Sequence, residues 1–241
     1  MPSREEKSSS PSTLTPRQGD QPVAQPDQRP RTLAACRRCT LWHDATQGVP
    51  GRGPRAASIL VLGEQPGDQE DKAGEPFVGP AGALLDRALA ESGVRREQVF
   101  VTNAVKHFKW IPRGKRRMHK TPAQREVMAC HYWLEKELAS VKPHVVVALG
   151  ATALRAMLQR SDARLTAMLG QAIKVGELLV VPTYHPSFVL RAPDARSREM
   201  AYAALVAALR QAGTIADESG SSPAVQKLRT EKTSTPPKRA G

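Results

Sequence analysis

The sequence predicts an α/β domain, a three-layer α/β/α sandwich around a central four-stranded, mostly parallel sheet. Three observations carry this expectation. Four short apolar runs have the length of buried strands: Ser58–Leu62 (SILVL), Val99–Asn103 (VFVTN), Val145–Leu149 (VVVAL) and Leu178–Val181 (LLVV). They are apolar throughout rather than alternating, as strands covered on both faces are. Segments with helical spacing lie between them, which implies parallel strands joined by crossover helices.

Each element has its own local reason. Ser58–Leu62 stops at Gly63 and feeds the loop GEQPGDQED. Gly79-Pro80 opens a helix, because proline suits a first helical turn. Ala83, Leu84, Leu85, Ala88 and Leu89 form its apolar face, and Gly93 ends it. Val99–Asn103 runs into a loop, Lys106–Thr121, with seven cations and no acid. Pro122 starts a long helix with Val127, Met128, Trp133, Leu134 and Leu138 at helical spacing. Val145–Leu149 ends at Gly150, and a helix over 151–159 follows. Leu178–Val181 leads into PTYHPS, and a last helix runs from about Ala195 to Gln211.

Residues 1–31 and 214–241 are rich in Ser, Pro, Gln and charge and have no apolar periodicity. They read as disordered tails around one domain, 32–213. Charges within the tails largely cancel, so most of the net charge of +13 falls on the domain. That excess favours a polyanionic partner such as nucleic acid. No run is long and apolar enough to span a membrane, and the N-terminus does not read as a signal peptide. Three cysteines do not make a disulfide framework, so a reducing cytoplasm is the expected location.

In parallel α/β sheets, ligands bind beyond the carboxyl ends of the strands. Those ends carry Glu64–Gly67, Asn103 with the basic loop, Gly150, and His185. Four separate polar segments thus converge on one rim. Glu64 reads as a solvated loop charge or a catalytic carboxylate. GEQPG is no phosphate-cradling Walker loop, since no G-K-[ST] follows. Phe77, between Pro76 and Gly79, is placed for a base to stack on it. Asn103 can donate and accept together, which suits a pyrimidine edge or a turn cap. His185 reads as a turn histidine or as a donor to a leaving group. His119 reads as an exposed loop histidine or as a nucleophile beside phosphate-seeking cations. Cys36 and Cys39 form a C-x2-C pair, with Cys130 on the long helix and His107 after the second strand. Spacing alone leaves open a redox dithiol, chance, a zinc site or a cluster, with zinc the simplest metal and His43 a competing ligand.

GEQPGDQED, PFVGPAGALLD, VTNAVKH, GKRRMHKTP, VVVALGATA and HPS, with the C-x2-C pair, resemble the uracil-DNA glycosylase superfamily. The resemblance is to its iron–sulfur family 4 enzymes and, through Gln65 in GEQPG and the GKRRMH loop, to their UdgX-type branch. It covers roughly Leu33 to Arg191.

The resemblance implies a 4Fe-4S cluster held by Cys36, Cys39, His107 and Cys130, with His107 where family 4 has a fourth cysteine. Such a cluster replaces zinc as the expected metal, with a structural role and a potential raised by the imidazole. The resemblance also implies uracil-containing DNA as substrate, with single strands preferred because a base inside a duplex must first leave its stack. Gly63, Asp68, Phe77 and Asn103 are the implied uracil-binding residues. Lys115, Arg116, Arg117 and Ser187 are the implied DNA contacts, with Met118 anchoring the loop. Glu64, Gln65, His119 and His185 are the implied catalytic residues. In that branch the loop histidine becomes bonded to the abasic sugar, a role that falls on His119 with Glu64 assisting. Adduct formation should then weaken in acid. The protein is expected to act as a monomer. Two alternatives remain: a conventional turnover glycosylase, and a non-catalytic iron–sulfur protein that binds nucleic acid.

Overall fold

The computed structural model describes residues 29–220. In chain order its strands are β1 (Ile59–Gly63), β2 (Val99–Asn103), β3 (Trp110–Arg113), β4 (Arg116–His119), β5 (Val145–Leu149), β6 (Ile173–Val175) and β7 (Leu178–Thr183). Its helices are α1 (Asp68–Ala73), α2 (Pro80–Ser92), α3 (Gln124–Val141), α4 (Gly150–Leu158), α5 (Leu165–Met168), α6 (Pro186–Leu190) and α7 (Ala195–Gly220).

The main sheet has five strands in the order β2-β1-β5-β7-β6. The first four are parallel, and β6 pairs antiparallel with β7 at the edge. The four predicted strands are all present, and the sheet exceeds the predicted count by β6. Strands β3 and β4 form a separate antiparallel hairpin inside the basic segment, where a loop was expected. Both additions close through a glycine in the left-handed region, Gly114 and Gly176, each at φ 58°. That is the conformation a two-residue Gly-X hairpin turn requires.

Helices cover both faces of the sheet. Leu60, Leu62, Phe100, Val146 and Val180 pack with Val127 and Leu134 of α3 and Leu154 of α4. Ile59, Val61, Val101, Val147 and Val181 pack on the opposite face with Leu85 and Leu89 of α2 and Leu205 and Leu209 of α7. Alternate residues of each strand therefore feed different cores, as the pleat dictates.

Helix α7 continues nine residues beyond the predicted end at Gln211. Ala216 is buried and Ile215 packs against the α2–α7 core, which corrects the reading of 214–220 as tail. The rest of both tails, 1–28 and 221–241, lies outside the described residues.

From β1 the chain moves outward to β2, then returns across β1 to β5 and β7. The order reverses between β1 and β5, so the loop after β1 and the start of α4 diverge and leave a crevice. Among the described residues, no helix is long and apolar enough to cross a membrane.

Candidate active site

A cavity of ≈ 300 Å³ opens at that crevice. Glu64, Gln65 and Gly67 line it from the loop after β1, Asn103 from β2, Gly150 from α4, and His185 and Ser187 from the end of β7. Phe77, Glu70 and His119 complete the wall. The predicted convergence of four strand ends is therefore present.

Asn103 and Phe77 close against Gly63. A Cβ on Gly63 would fall 2.3 Å from Asn103 Oδ1 and 2.7 Å from Phe77 Cζ, so only glycine fits there. The Asn103 side-chain amide lines the cavity and has no protein hydrogen-bond partner among the described residues. It is free to donate and accept at a ligand edge.

Phe77 adopts φ 59°, a left-handed backbone that costs a bulky residue about 1–3 kcal/mol. Its surroundings enforce this. A Cβ at Gly82 would meet the Phe77 carbonyl oxygen at 1.7 Å, so α2 closes directly onto that peptide. Glu70, buried and unassigned by sequence reasoning, ties the adjoining loops together. Gly79 N–H donates to its Oε1 at 2.8 Å and Gly67 N–H to its Oε2 at 3.1 Å. The Phe77 ring lies near-parallel to His185, with centroids 6.0 Å apart.

His185 is held in one tautomer. Ser187 N–H donates to Nδ1 at 3.1 Å, and an amide N–H can only donate, so Nδ1 is unprotonated. The Ser187 hydroxyl lies 2.8 Å from the same atom. Burial lowers the His185 pKa to about 4, Arg191 and His119 add to this, and Glu64 opposes it. The ring is thus neutral at physiological pH, with its proton on Nε2 as a donor. Ser187 lines the cavity, but its N–H and hydroxyl are both engaged with His185 rather than offered to DNA.

Glu64 Oε1 lies 3.1 Å from His119 Nε2, and Thr152 Oγ1 donates to Glu64 Oε2. Burial raises the Glu64 pKa, but the hydrogen bonds from His119 and Thr152 outweigh it and leave the carboxyl below its ordinary value. A charged carboxylate therefore stands beside the histidine.

The hairpin that carries His119 is fastened at three places. Gln65 Nε2 donates to the carbonyls of Lys109 and Lys120, and its Oε1 accepts from Lys109 N–H, so its amide spans both ends of the hairpin. Gln65 was expected among the catalytic residues; its polar atoms are committed to holding the hairpin stem. Arg117 forms ion pairs with Asp68 at 2.5 Å and with fully buried Asp71 at 2.6 Å, and its guanidinium lies over Phe108 and Trp110. Trp110 Nε1 donates to the Asp44 carbonyl at 2.8 Å.

These contacts correct three further expectations. Arg117 is a loop anchor, not a free phosphate contact. Asp68 faces Arg117 and Lys72 and does not line the cavity. Met118 is exposed, because side chains alternate along β4: His119 and Arg117 face inward, and Met118 and Arg116 face outward. The anchor assigned to Met118 is Arg117. Lys115 and Arg116 are exposed at the turn end of the hairpin.

Cys36 and Cys39 lie near Cys130 of α3, and His107 follows β2. Arg38 Nε donates to Ala129 O at 2.9 Å, tying the C-x2-C segment to α3 one residue before Cys130. Trp133 Nε1 donates to Cys36 Sγ and Lys106 N–H to Cys130 Sγ, both at 3.2 Å. Burial pushes the Cys130 thiol up to about 12, with Cys39 and Cys36 adding to it. Burial raises Cys39 as well, and Cys36 adds to it, so the three sulfurs sense one another. Burial lowers the His107 pKa to about 4, Arg37 adds to this, and Asp71 opposes it; the ring is neutral, as metal ligation requires. A zinc ion would draw its donors to about 2.0–2.3 Å from one point. Among the described residues, no three His, Cys, Asp or Glu side chains do so. His43 is exposed and stacks on Trp42 at 3.9 Å.

The profile of the Uracil DNA glycosylase superfamily matches residues 50–210. The chain belongs to the uracil-DNA glycosylase superfamily. It is 40% identical over 157 residues to the Type-4 uracil-DNA glycosylase of Thermotoga maritima, covering 65% of this chain and 78% of the relative. The Type-4 uracil-DNA glycosylase of Archaeoglobus fulgidus is 36% identical over 173 residues, 69% of this chain and 83% of the relative. A Type-5 uracil-DNA glycosylase of Pyrobaculum aerophilum is 32% identical over 172 residues, 65% and 73% of the two chains.

Proposed function

We propose that this protein excises uracil from DNA, preferring single strands, and is then captured on the abasic sugar through His119. The Glu64–His119 pair, 3.1 Å apart at the edge of the cavity, carries the proposal. Type-4 uracil-DNA glycosylases as relatives support the excision step.

In this reading the flipped uracil stacks on Phe77 and meets the free amide of Asn103. As the glycosidic bond breaks, its electron pair leaves with uracil. His185 Nε2–H donates to the negative charge that develops there, a stabilisation that preorganised donors supply well. The sugar becomes oxocarbenium-like, and the Glu64 carboxylate offsets that charge. Glu64 then accepts the Nε2 proton of His119, and the freed lone pair bonds to C1′. The products are a neutral alkylated imidazole, a protonated Glu64 and the departed uracil anion, so charge balances. Lys115 and Arg116 hold the flanking phosphates.

Cys36, Cys39, His107 and Cys130 would hold a 4Fe-4S cluster, which serves as a structural tie when bound. The three thiols, close enough to act on one another electrostatically, and the neutral His107 support that assignment.

The test uses uracil-containing single-stranded DNA followed by a denaturing gel. The expected result is uracil release with a heat-stable shifted band. Abasic DNA without a shifted band would make the protein a turnover enzyme, and unchanged DNA would remove the excision step as well.

A further inference from the structure

Lys106 is a fully buried cation that none of the chemistry above uses. Its Nζ donates to Thr102 Oγ1 at 2.6 Å, to the Asn103 carbonyl at 2.7 Å and to Glu137 Oε2 at 2.6 Å. An ammonium has three protons to give, and each has an acceptor. Thr102 Oγ1 also donates to Glu137 Oε2, and Glu137 Oε1 accepts from Gly51 N–H at 2.9 Å. The Lys106 backbone is engaged too: its N–H meets Cys130 Sγ and its carbonyl accepts from Val49 N–H at 2.8 Å.

Burying such a pair rarely adds stability over well-packed apolar residues, because desolvation offsets the attraction. Its value here lies in what it fixes. Asn103 closes β2 opposite Gly63, and the next two residues stay tied to the β1 end, Ala104 N–H to Gly63 O and Val105 N–H to Glu64 O. The Asn103 side chain makes no protein hydrogen bond among the described residues, so only the backbone and packing aim it. The Lys106 ammonium grips the carbonyl of that same residue from behind the cavity.

We infer that Lys106, locked by Glu137 and Thr102, is a positioning residue for uracil recognition, acting through the Asn103 backbone. The inference rests on the excision reading. Lys106 touches no substrate; it sets the direction from which the Asn103 amide meets the base edge.

A double-mutant cycle on the full chain tests this, with uracil release measured under single-turnover conditions. Lys106→Met with Glu137→Gln removes both charges together, and Gln retains an acceptor for Gly51. This pair is expected to slow release about tenfold and to narrow the preference for uracil over cytosine, since coupled neighbours show interactions of that size. In an Asn103→Ala background, the same pair should change the rate less than about twofold. Should the pair not fold, judged by circular dichroism, the near-isosteric Thr102→Val replaces it; a loss that vanishes in the Asn103→Ala background is again expected. Equal losses in both backgrounds, or no loss in either, overturn the inference while release by the unmodified protein upholds the excision reading. No release by the unmodified protein overturns both.

Discussion

Glu64 Oε1 and His119 Nε2 meet at 3.1 Å although they come from the rim of the main sheet and the end of a separate hairpin. In the proposed capture, one carboxylate serves both the developing sugar cation and the proton that His119 gives up. Glu64→Gln keeps the shape and removes the charge and the proton acceptor. Adduct formation should fall at least about 100-fold, the lower range for a positioned acid–base group, as read from single-turnover denaturing gels.

Gln65 should separate capture from release. Gln65→Ala deletes three hydrogen bonds at the hairpin stem and touches neither Asn103 nor His185. With neutral hydrogen bonds worth about 1 kcal/mol each, hairpin placement should loosen enough to cut adduct yield about tenfold or more. Uracil release should change by less than about threefold, a difference within 1 kcal/mol. Parallel assays of free uracil and shifted DNA measure the two.

Arg117→Met leaves fully buried Asp71 with only its backbone N–H donors from Thr46 and Gln47. Breaking a buried ion pair costs about 3–5 kcal/mol. For a domain of this size that lowers Tm by roughly 6–20 °C, measurable by thermal unfolding. Arg116→Met, on the outward face, should leave Tm unchanged and weaken DNA binding in a salt-dependent manner.

Acid should reach release through His185 and Glu64. The folded pKa of His185 is about 4 against an ordinary 6.5, so the ring keeps its neutral donor form down to pH 5. The Glu64 pKa is also lowered, so its carboxylate stays charged over the same range. Uracil release should persist at pH 5 and fail toward pH 4. Adduct yield, which depends on release, should follow it. Stability has the same sign. Below about 6.5 the unfolded chain takes up a proton at residue 185 that the folded chain refuses until about pH 4, so stability falls across that window. Losing the Glu64 carboxylate at still lower pH adds to the fall. A pH series of uracil release, adduct yield and Tm checks all three.

Much of this was legible in the sequence because the four parallel strands are buried on both faces and therefore read as unbroken apolar runs. Their ends could be placed on one rim before any side chain was seen. The two hairpin turns were missed. Arg113-Gly114-Lys115-Arg116 and Val175-Gly176-Glu177-Leu178 each carry a two-residue glycine turn, but their flanking strands are short and mostly exposed, with weak alternation. Gln65 and Arg117 were recognised as special and given the wrong tasks. Which partner a long polar side chain chooses depends on distant segments, Lys109 and Lys120 for one and Asp68 and Asp71 for the other. Glu70 and Lys106 were unreadable for the same reason: the Gly79 N–H that one accepts from and the Glu137 carboxylate that the other donates to are brought near only by the fold.

Mapping the adduct tests the central claim most directly. The protein is reacted with uracil-containing single-stranded DNA, digested with trypsin and nuclease, and analysed by mass spectrometry. The account predicts an abasic-sugar mass on the tryptic peptide Met118–Lys120, bonded at His119. Attachment at any other residue, or released uracil with every peptide unmodified, would contradict it.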